Sequence, residues 1–251
     1  MKNVSIHTLT QWLETTLSAS SFNDYCPNGL QVEGKTVVSH IIAGVTASQA
    51  LITHAAQQKA DALLVHHGWF WKGDDVRIVG TRKNRLAALL ASELNLLAYH
   101  LPLDAHPVLG NNAQLARVLG LVADQTDANA GLLWLGSMPG TTSLGAIAAR
   151  VEQRLGRTPL VIGSDQLPIQ RIAWCTGAAQ SMLNQAIEQG AQLFITGEIS
   201  EPTVHLARET GVGFISAGHH ATERYGVQAL GQAIANEFGI QVDFIDIDNP
   251  V

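Results

Sequence analysis

The sequence predicts an α/β protein of two interlinked halves related by internal duplication, with mainly parallel or mixed sheets flanked by helices. Three observations predict this class. Apolar runs of strand length alternate with amphipathic helical segments along the chain. The order of these segments recurs in the second half. Hydrophobic residues make up 46% of the 251 residues and charged residues only 14%, which is typical of a compact protein with many buried strands.

The first half covers residues 1–126. Helical spacing and capping residues predict helices over 5–17, 48–58, 82–94 and 111–120, with Asn111 or Asn112 as the cap of the last one. Apolar runs predict strands over 37–45, 61–65 and 95–100. A short polar junction at 126–130 indicates that the two halves pack together.

The second half, residues 127–251, repeats this order. Gln49 aligns with Gln180, Leu63 with Phe194 and His67 with Glu198, without gaps between them. Upstream, the helix that follows Ser5 matches a segment that follows Ser143. The similarity is weak at single residues but consistent in order, so a duplication explains it.

Charge and targeting signals limit the function classes. The chain has 15 Lys and Arg against 21 Asp and Glu, a formal net charge of -6, which is unlike the basic surface of a duplex-DNA binder. We find no signal-peptide core and no apolar run long enough to span a bilayer, so we expect a soluble cytoplasmic protein. Cys26 and Cys175 cannot form a disulfide framework and are expected to be buried thiols.

Histidines and carboxylates follow the predicted strands. His66 and His67 end the strand that begins at residue 61, and the C-terminal ends of strands are where open α/β sheets place their chemistry. Neighbouring side chains of an extended chain point to opposite sides, so these histidines suit two ions better than one. The alternative is a capped strand with one exposed and one hydrogen-bonded histidine. His219 and Glu223 are four residues apart and share one face if a helix begins there.

Together these segments supply five candidate metal ligands: His66, His67, Asp104, His219 and Glu223. Such a mixed nitrogen and oxygen set suits Fe, Mn, Zn or Ni better than Ca or Mg. One catalytic ion usually keeps an open position, so two divalent ions bridged by the two carboxylates use the set better. His220 would be rotated away from this face.

Other residues have more than one interpretation. His100, His106 and Glu198, all outside the ligand set, are candidates to orient a water or transfer protons. His100 and His106 could instead only fix the orientation of the ligands. Glu198 could instead brace a turn. The aromatic run Trp69, Phe70 and Trp71 could stack a nucleobase or pack in a subunit interface.

Five separated motifs stand out along the chain, at residues 28–32, 66–71, 100–104, 196–198 and 218–223. In this order they resemble the GTP cyclohydrolase 1 type 2 homologue family, the Nif-three-like proteins of the YbgI type. The resemblance covers essentially the whole chain. It implies a two-domain α/β fold, a dinuclear metal centre in a cleft between the domains, and a toroidal homohexamer. It also implies the same five ligands that the chemistry selects.

Two function classes remain open from the sequence. The first is a metal-dependent hydrolase acting on a small anionic or nucleotide-like substrate, because two divalent ions bring more charge than Asp104 and Glu223 neutralise. The second is a non-catalytic, ring-shaped binding or assembly protein with structural metals, linked to nucleic acids or damaged nucleotides. The acidic balance argues against a general electrostatic grip on nucleic acid.

Overall fold

The fold is described from a computed structural model that covers residues 2–124 and 131–251. The expected junction at 126–130, and with it the expected boundary between residues 126 and 127, lies outside these described residues. Within them, no helix is long and apolar enough to cross a membrane.

Strands and helices alternate along most of the chain, as the sequence predicts. The strands are β1 (Val4–Ser5), β2 (Gly29–Val32), β3 (Val37–Val38), β4 (His40–Thr46), β5 (Ala62–His67), β6 (Asn95–Ala98), β7 (Val122–Ala123), β8 (Trp134–Ser143), β9 (Leu160–Ile162), β10 (Pro168–Trp174), β11 (Leu193–Thr196), β12 (Gly213–Ser216) and β13 (Gln241–Phe244). The helices are α1 (Ile6–Leu17), α2 (Gln49–Gln57), α3 (Gly80–Ala91), α4 (Leu101–Ala105), α5 (Asn111–Leu119), α6 (Leu144–Leu155), α7 (Leu183–Glu188), α8 (Glu201–Thr210) and α9 (His219–Phe238).

The chain divides into two compact units. The first unit comprises Met1–Leu103 and Val227–Asp248, and the second comprises Asp104–Gly226 and Asn249–Val251. This division differs from the expected halves, because the segment from Asp104 to Asp124 belongs with the second unit and β13 with the first. Helix α9 begins in the second unit and continues in the first.

The first unit is built on a mixed five-stranded sheet in the order β13-β4-β5-β6-β2. Strands β4, β5 and β6 run parallel and are connected by α2 and α3, while β2 closes one edge antiparallel to β6. Leu63, Leu64 and Val65 of the central strand are fully buried. A strand that is buried on both faces has apolar residues at successive positions, which explains the apolar run at residues 61–65.

The second unit repeats this plan within a six-stranded sheet in the order β7-β8-β10-β11-β12-β9. Strands β10, β11 and β12 are parallel and are connected by α7 and α8, and β9 closes the edge antiparallel to β12. The predicted α/β class with mixed sheets flanked by helices is therefore confirmed.

Equivalent helix starts support the duplication. Helix α1 is capped by Ser5, whose hydroxyl accepts the backbone N–H of Thr8 at 3.0 Å. Helix α6 is capped by Ser143, whose hydroxyl accepts the N–H of Ala146 at 3.4 Å. A serine hydroxyl at this position satisfies one of the unpaired donors of the first helical turn. The paired serines of the sequence alignment thus have the same local role.

Two local expectations differ from the structure. The strand expected over 37–45 is broken at Ser39, because its N–H and hydroxyl both donate to Asp61. Asn111 does not cap α5, whose N-cap is Gly110. The side chain of Asn111 is instead used by a carboxylate of the second unit, as described below.

Candidate metal centre

His66 and His67 are at the C-terminal end of β5, the central strand of the first unit. Their ring centroids are 4.5 Å apart. The Nδ1 of His66 donates to the backbone carbonyl of Tyr99 at 2.9 Å, and the Nδ1 of His67 lies 3.1 Å from the hydroxyl of Thr46. Anchoring Nδ1 in this way fixes each ring and makes Nε2 the nitrogen suited to bind a metal.

His100 joins these two histidines, although the sequence placed it only outside the ligand set. Its ring lies 5.1 Å from that of His66 and 5.8 Å from that of His67. One ring nitrogen of each of the three lies within 4.8 Å of the others. The first unit therefore carries a three-histidine cluster that could hold a metal ion.

Glu223 is at the centre of the ligand residues in the second unit. Its carboxylate lies 3.2 Å from Nε2 of His219, one helical turn earlier on α9, and within 4.8 Å of a carboxylate oxygen of Asp104. Both acids are buried, with 2% of Glu223 and 6% of Asp104 exposed. Two buried carboxylates at this separation repel each other, and a divalent cation between them would remove the repulsion.

Glycines at two strand ends allow the start of α9 to lie this close. Gly177 follows β10 with φ of +69°, and a Cβ there would collide with the Glu223 carboxylate and lie 3.3 Å from Nε2 of His219. Gly197 follows β11, and a Cβ there would lie 2.6 Å from Cα of His219. Side chains at these positions would displace the ligand residues, so glycine is required.

Asp104 is held by two side chains of its own unit. Asn111 Nδ2 donates to it at 2.9 Å and Thr176 Oγ1 at 3.2 Å. The other end of the Asn111 amide accepts the backbone N–H of Gly226 at 2.9 Å, which ties Asp104 to α9. Burial raises the pKa of the Cys175 thiol, and the charges of Asp104 and Glu223 raise it further. This thiol therefore stays protonated in the metal-free protein.

His219 lies between two carboxylates. Its Nδ1 donates to Glu198 at 2.7 Å, so Glu198 orients the ring. Burial alone would lower the pKa of His219, but the hydrogen bond and charge of Glu223, followed by those of Glu198, raise it to about 9. The metal-free protein therefore holds a proton on His219 at neutral pH, and a cation must displace that proton.

The remaining expected residues are less central. The Nδ1 of His106 accepts the backbone N–H groups of Val108 and Leu109 within a local turn. The backbone N–H of His220 donates to the carbonyl of Val251. Trp69 is buried in the core of the first unit, with 5% of its surface exposed. The ring of Trp71 instead lies 5.1 Å from His100.

Fold and side chains together define an α/β protein whose histidine and carboxylate clusters fit divalent transition metals. The match of residues 4–250 to the model of the Duf34/NIF3 (NGG1p interacting factor 3) family shows that the chain belongs to that family. Proteins described as GTP cyclohydrolase 1 type 2 homologues are similar in sequence to this chain over nearly its full length, which confirms the resemblance found in the motifs. One from Neisseria meningitidis serogroup B is 52% identical over 239 residues, 95% of this chain and 96% of that protein. One from Pseudomonas aeruginosa is 50% identical over 250 residues, 98% and 99% of the two chains.

Solved structures show the same fold over the full length. The protein ybgI, described as of unknown function, is 46% identical, with a TM-score of 0.93 over 99% of this chain and 100% of that one. The protein TTHA1606 from Thermus thermophilus is 37% identical, with a TM-score of 0.89 over the same fractions.

Several residues that shape the clusters carried no recognised signal in the sequence. Asp24 binds His100, Thr46 contacts His67, and Thr176 and Asn111 bind Asp104. Three of these contacts join residues that are at least 21 positions apart in the sequence. Asn111 and Asp104 are only seven residues apart, across a short loop. Gly177 had a usable signal, because a glycine close to the end of an apolar strand, here three residues after Trp174, often marks a turn or a close backbone approach.

Proposed function

We propose that this protein is a metal-dependent hydrolase in which His66, His67, Asp104, His219 and Glu223 together hold two divalent transition-metal ions. The observation that carries the proposal is the surrounding of Glu223. This buried carboxylate lies within reach of both Asp104 and His219, which is the position expected of a ligand shared by two ions. Iron, manganese, zinc and nickel all suit such a ligand set.

In this proposal the ions would supply the reactivity, and the protein residues would hold and orient the ligands. A bound divalent ion supplies Lewis acidity and lowers the pKa of a coordinated water to ~7. The histidine rings are held by oxygen atoms of Tyr99, Thr46 and Glu198, so their orientation is set before a cation arrives. Asn111 and Thr176 hold Asp104 in the same way. Such anchoring lowers the cost of forming the site.

Charge favours a small anionic or nucleotide-like substrate. Two divalent ions bring four positive charges, and Asp104 and Glu223 return two negative ones, so the loaded site would attract an anion. In the first unit, Trp71 and Lys72 line a cavity of about 380 Å³ next to His100. An aromatic face and an ammonium group suit a base and a phosphate, respectively.

Variants of Glu223 test the shared ligand. Glu223→Ala should lose more bound metal than His219→Ala, because a shared carboxylate serves both ions and a terminal histidine serves one. Glu223→Gln keeps the shape and removes the charge, so it should resemble Glu223→Ala if electrostatics dominate. Metal content and melting temperature are measured on the same three variants. Full two-metal occupancy in Glu223→Ala would rule out the shared role.

Turnover tests the hydrolase itself. Metal-loaded protein is assayed with a panel of phosphomonoesters, phosphodiesters, nucleoside triphosphates and cyclic amides, and Glu223→Ala serves as the matched inactive control. We expect hydrolysis of at least one anionic class that disappears in the variant. Absence of turnover with every class, at full metal occupancy, would favour the non-catalytic binding or assembly protein.

We further propose that the chain assembles as a closed homohexamer of toroidal form. Apolar side chains such as Val76, Val79 and Leu90 are exposed on the single chain and suit a subunit interface. Light scattering coupled to gel filtration measures the mass directly. A monomer at micromolar concentration would refute the assembly without affecting the metal proposal.

A further inference from the structure

His100 shares the chemical setting of the expected ligand histidines. In His66, His67 and His219 the Nδ1 atom is held by an oxygen atom, as described above, and His100 follows the same rule. Its Nδ1 lies 2.7 Å from Oδ1 of Asp24. Metal-binding histidines characteristically give their second nitrogen to a carboxylate or carbonyl in this way.

Other histidines of the described chain are held differently. His40 contacts Asp243 through Nε2, and the exposed His205 contacts Glu201 through Nε2. His106 uses Nδ1 as an acceptor of backbone N–H groups, so its proton is on Nε2 when the ring is neutral. The anchored-Nδ1 arrangement therefore separates His100 from these three and groups it with the expected ligands.

Asp24 is built to hold His100. Only 2% of its side chain is exposed, and it accepts four hydrogen bonds. Oδ1 accepts from His100 Nδ1 and the N–H of Tyr25 at 2.7 and 2.6 Å, and Oδ2 accepts from Asn28 Nδ2 and the N–H of Leu101, both at 2.9 Å. A buried carboxylate needs such donors to remain ionised.

The charge state of Asp24 follows from these bonds. Three of the four contacts come from N–H groups that can only donate, and the fourth comes from a ring nitrogen that can donate, which is the arrangement expected around an ionised carboxylate. An ionised carboxylate can only accept, so Nδ1 of His100 must donate. In a neutral ring, Nε2 then carries the lone pair.

A cation between Asp24, Cys26 and His100 is the competing arrangement, since one ligand atom of each lies within 4.8 Å of the others. It is disfavoured because both Asp24 oxygens already accept two hydrogen bonds each. Placing an ion there would displace His100 Nδ1 or buried backbone donors. A cation bound through Nε2 of His100 would leave the hydrogen bonds of Asp24 in place.

We propose that His100 is a sixth metal ligand, binding a divalent cation through Nε2 alongside the histidines of β5, and that Asp24 is the residue that positions it. This proposal rests on the proposed function only in that the protein binds metal there. It does not depend on which reaction, if any, the metal supports.

Co²⁺ substitution tests the ligand directly. Full-length protein is stripped of metal, titrated with Co²⁺, and followed by its visible absorption, which depends on the donor atoms around the ion. The test variant is His100→Asn, because an asparagine amide can still donate to Asp24 while Nε2 is lost. We expect an altered Co²⁺ spectrum and an affinity at least about 10-fold weaker. His205→Asn, an exposed histidine on α8, is the control and should match the wild type.

Asp24→Asn tests the positioning residue. The ligand nitrogen is still present, so the Co²⁺ spectrum should keep its bands, while the affinity falls about 10–100-fold. Glu201→Gln, which removes the acidic partner of His205, is the matched control and should leave the Co²⁺ affinity unchanged. Circular dichroism of each metal-free variant shows whether it is folded. If His100→Asn does not fold, the drop expected in Asp24→Asn still decides the proposal.

The outcomes separate this inference from the proposed function. If His100→Asn has the spectrum and the affinity of the wild type, the proposal that His100 is a metal ligand is overturned. The proposal that the wild-type protein is a hydrolase would not be affected. An altered spectrum with no turnover of any substrate supports the sixth ligand and contradicts the hydrolase. A wild-type protein that binds no Co²⁺ would overturn both.

Discussion

Competition between protons and metal ions at His219 gives a prediction whose size follows from the structure. The pKa of His219 is about 9 in the metal-free protein, because Glu223 and Glu198 favour its charged form. A cation can bind Nε2 only after the proton leaves. Well below pH 9, each further pH unit should therefore weaken apparent metal binding at this site about tenfold. Because half of the His219 rings are already protonated at pH 9, the expected loss between pH 9 and pH 7 is about 50-fold.

The assay is a Mn²⁺ titration of metal-free protein against a chelating indicator between pH 7 and pH 9. Calorimetry in buffers of different ionisation enthalpy measures the protons released. We expect about one proton from His219 for each ion bound there at pH 7. Glu198→Gln removes one of the two charges that raise the pKa, so its pH dependence should move to lower pH. Affinity that changes less than twofold between pH 7 and pH 9 would refute this reasoning.

Three further predictions concern stability. Because the pKa of His219 is raised in the folded protein, its protonated form stabilises the metal-free protein. This stabilisation is complete below 6.5, the pKa of the unfolded chain, and is lost as the pH rises through about 9. The melting temperature measured in EDTA should therefore fall between pH 6.5 and pH 9. In His219→Asn the melting temperature should depend less on pH, and a wild-type melting temperature that does not change over this range would contradict the prediction. Asp61→Ala should cost about 1–3 kcal/mol in urea denaturation with metal content intact, because it leaves Ser39 and His40 donors without an acceptor. Ser5→Ala and Ser143→Ala should each lower the free energy of unfolding by about 0.5–2 kcal/mol, because each removes an N-cap hydroxyl. An unchanged free energy of unfolding in either variant would contradict the capping role of that serine.

The parts of the fold that the sequence predicted are those with local signals. The buried strand β5 appears in the sequence as an unbroken apolar run. Helix α1, predicted from helical spacing, and helix α6, predicted from its match to α1, are equally local. Each of these features depends on neighbours within one or two turns of chain.

The parts that escaped prediction depend on distant partners. Asp24 lies 76 residues from His100, in an irregular segment whose turn residues carry no information about a contact with a distant histidine. Strand β13 pairs with β4 from the opposite end of the chain, which moves residues 241–244 into the first unit. Ser39 interrupts the expected strand because Asp61 accepts its N–H. No periodicity within a short window encodes such contacts.

The number of metal ions per chain tests the central claim most directly. Protein prepared without a metal-affinity tag is reconstituted with Mn²⁺ or Zn²⁺, freed of loosely bound ions, and measured by elemental analysis. The surroundings of Glu223, with Asp104 and His219 both in reach, predict about two ions per chain. One ion or fewer after reconstitution would contradict a dinuclear centre.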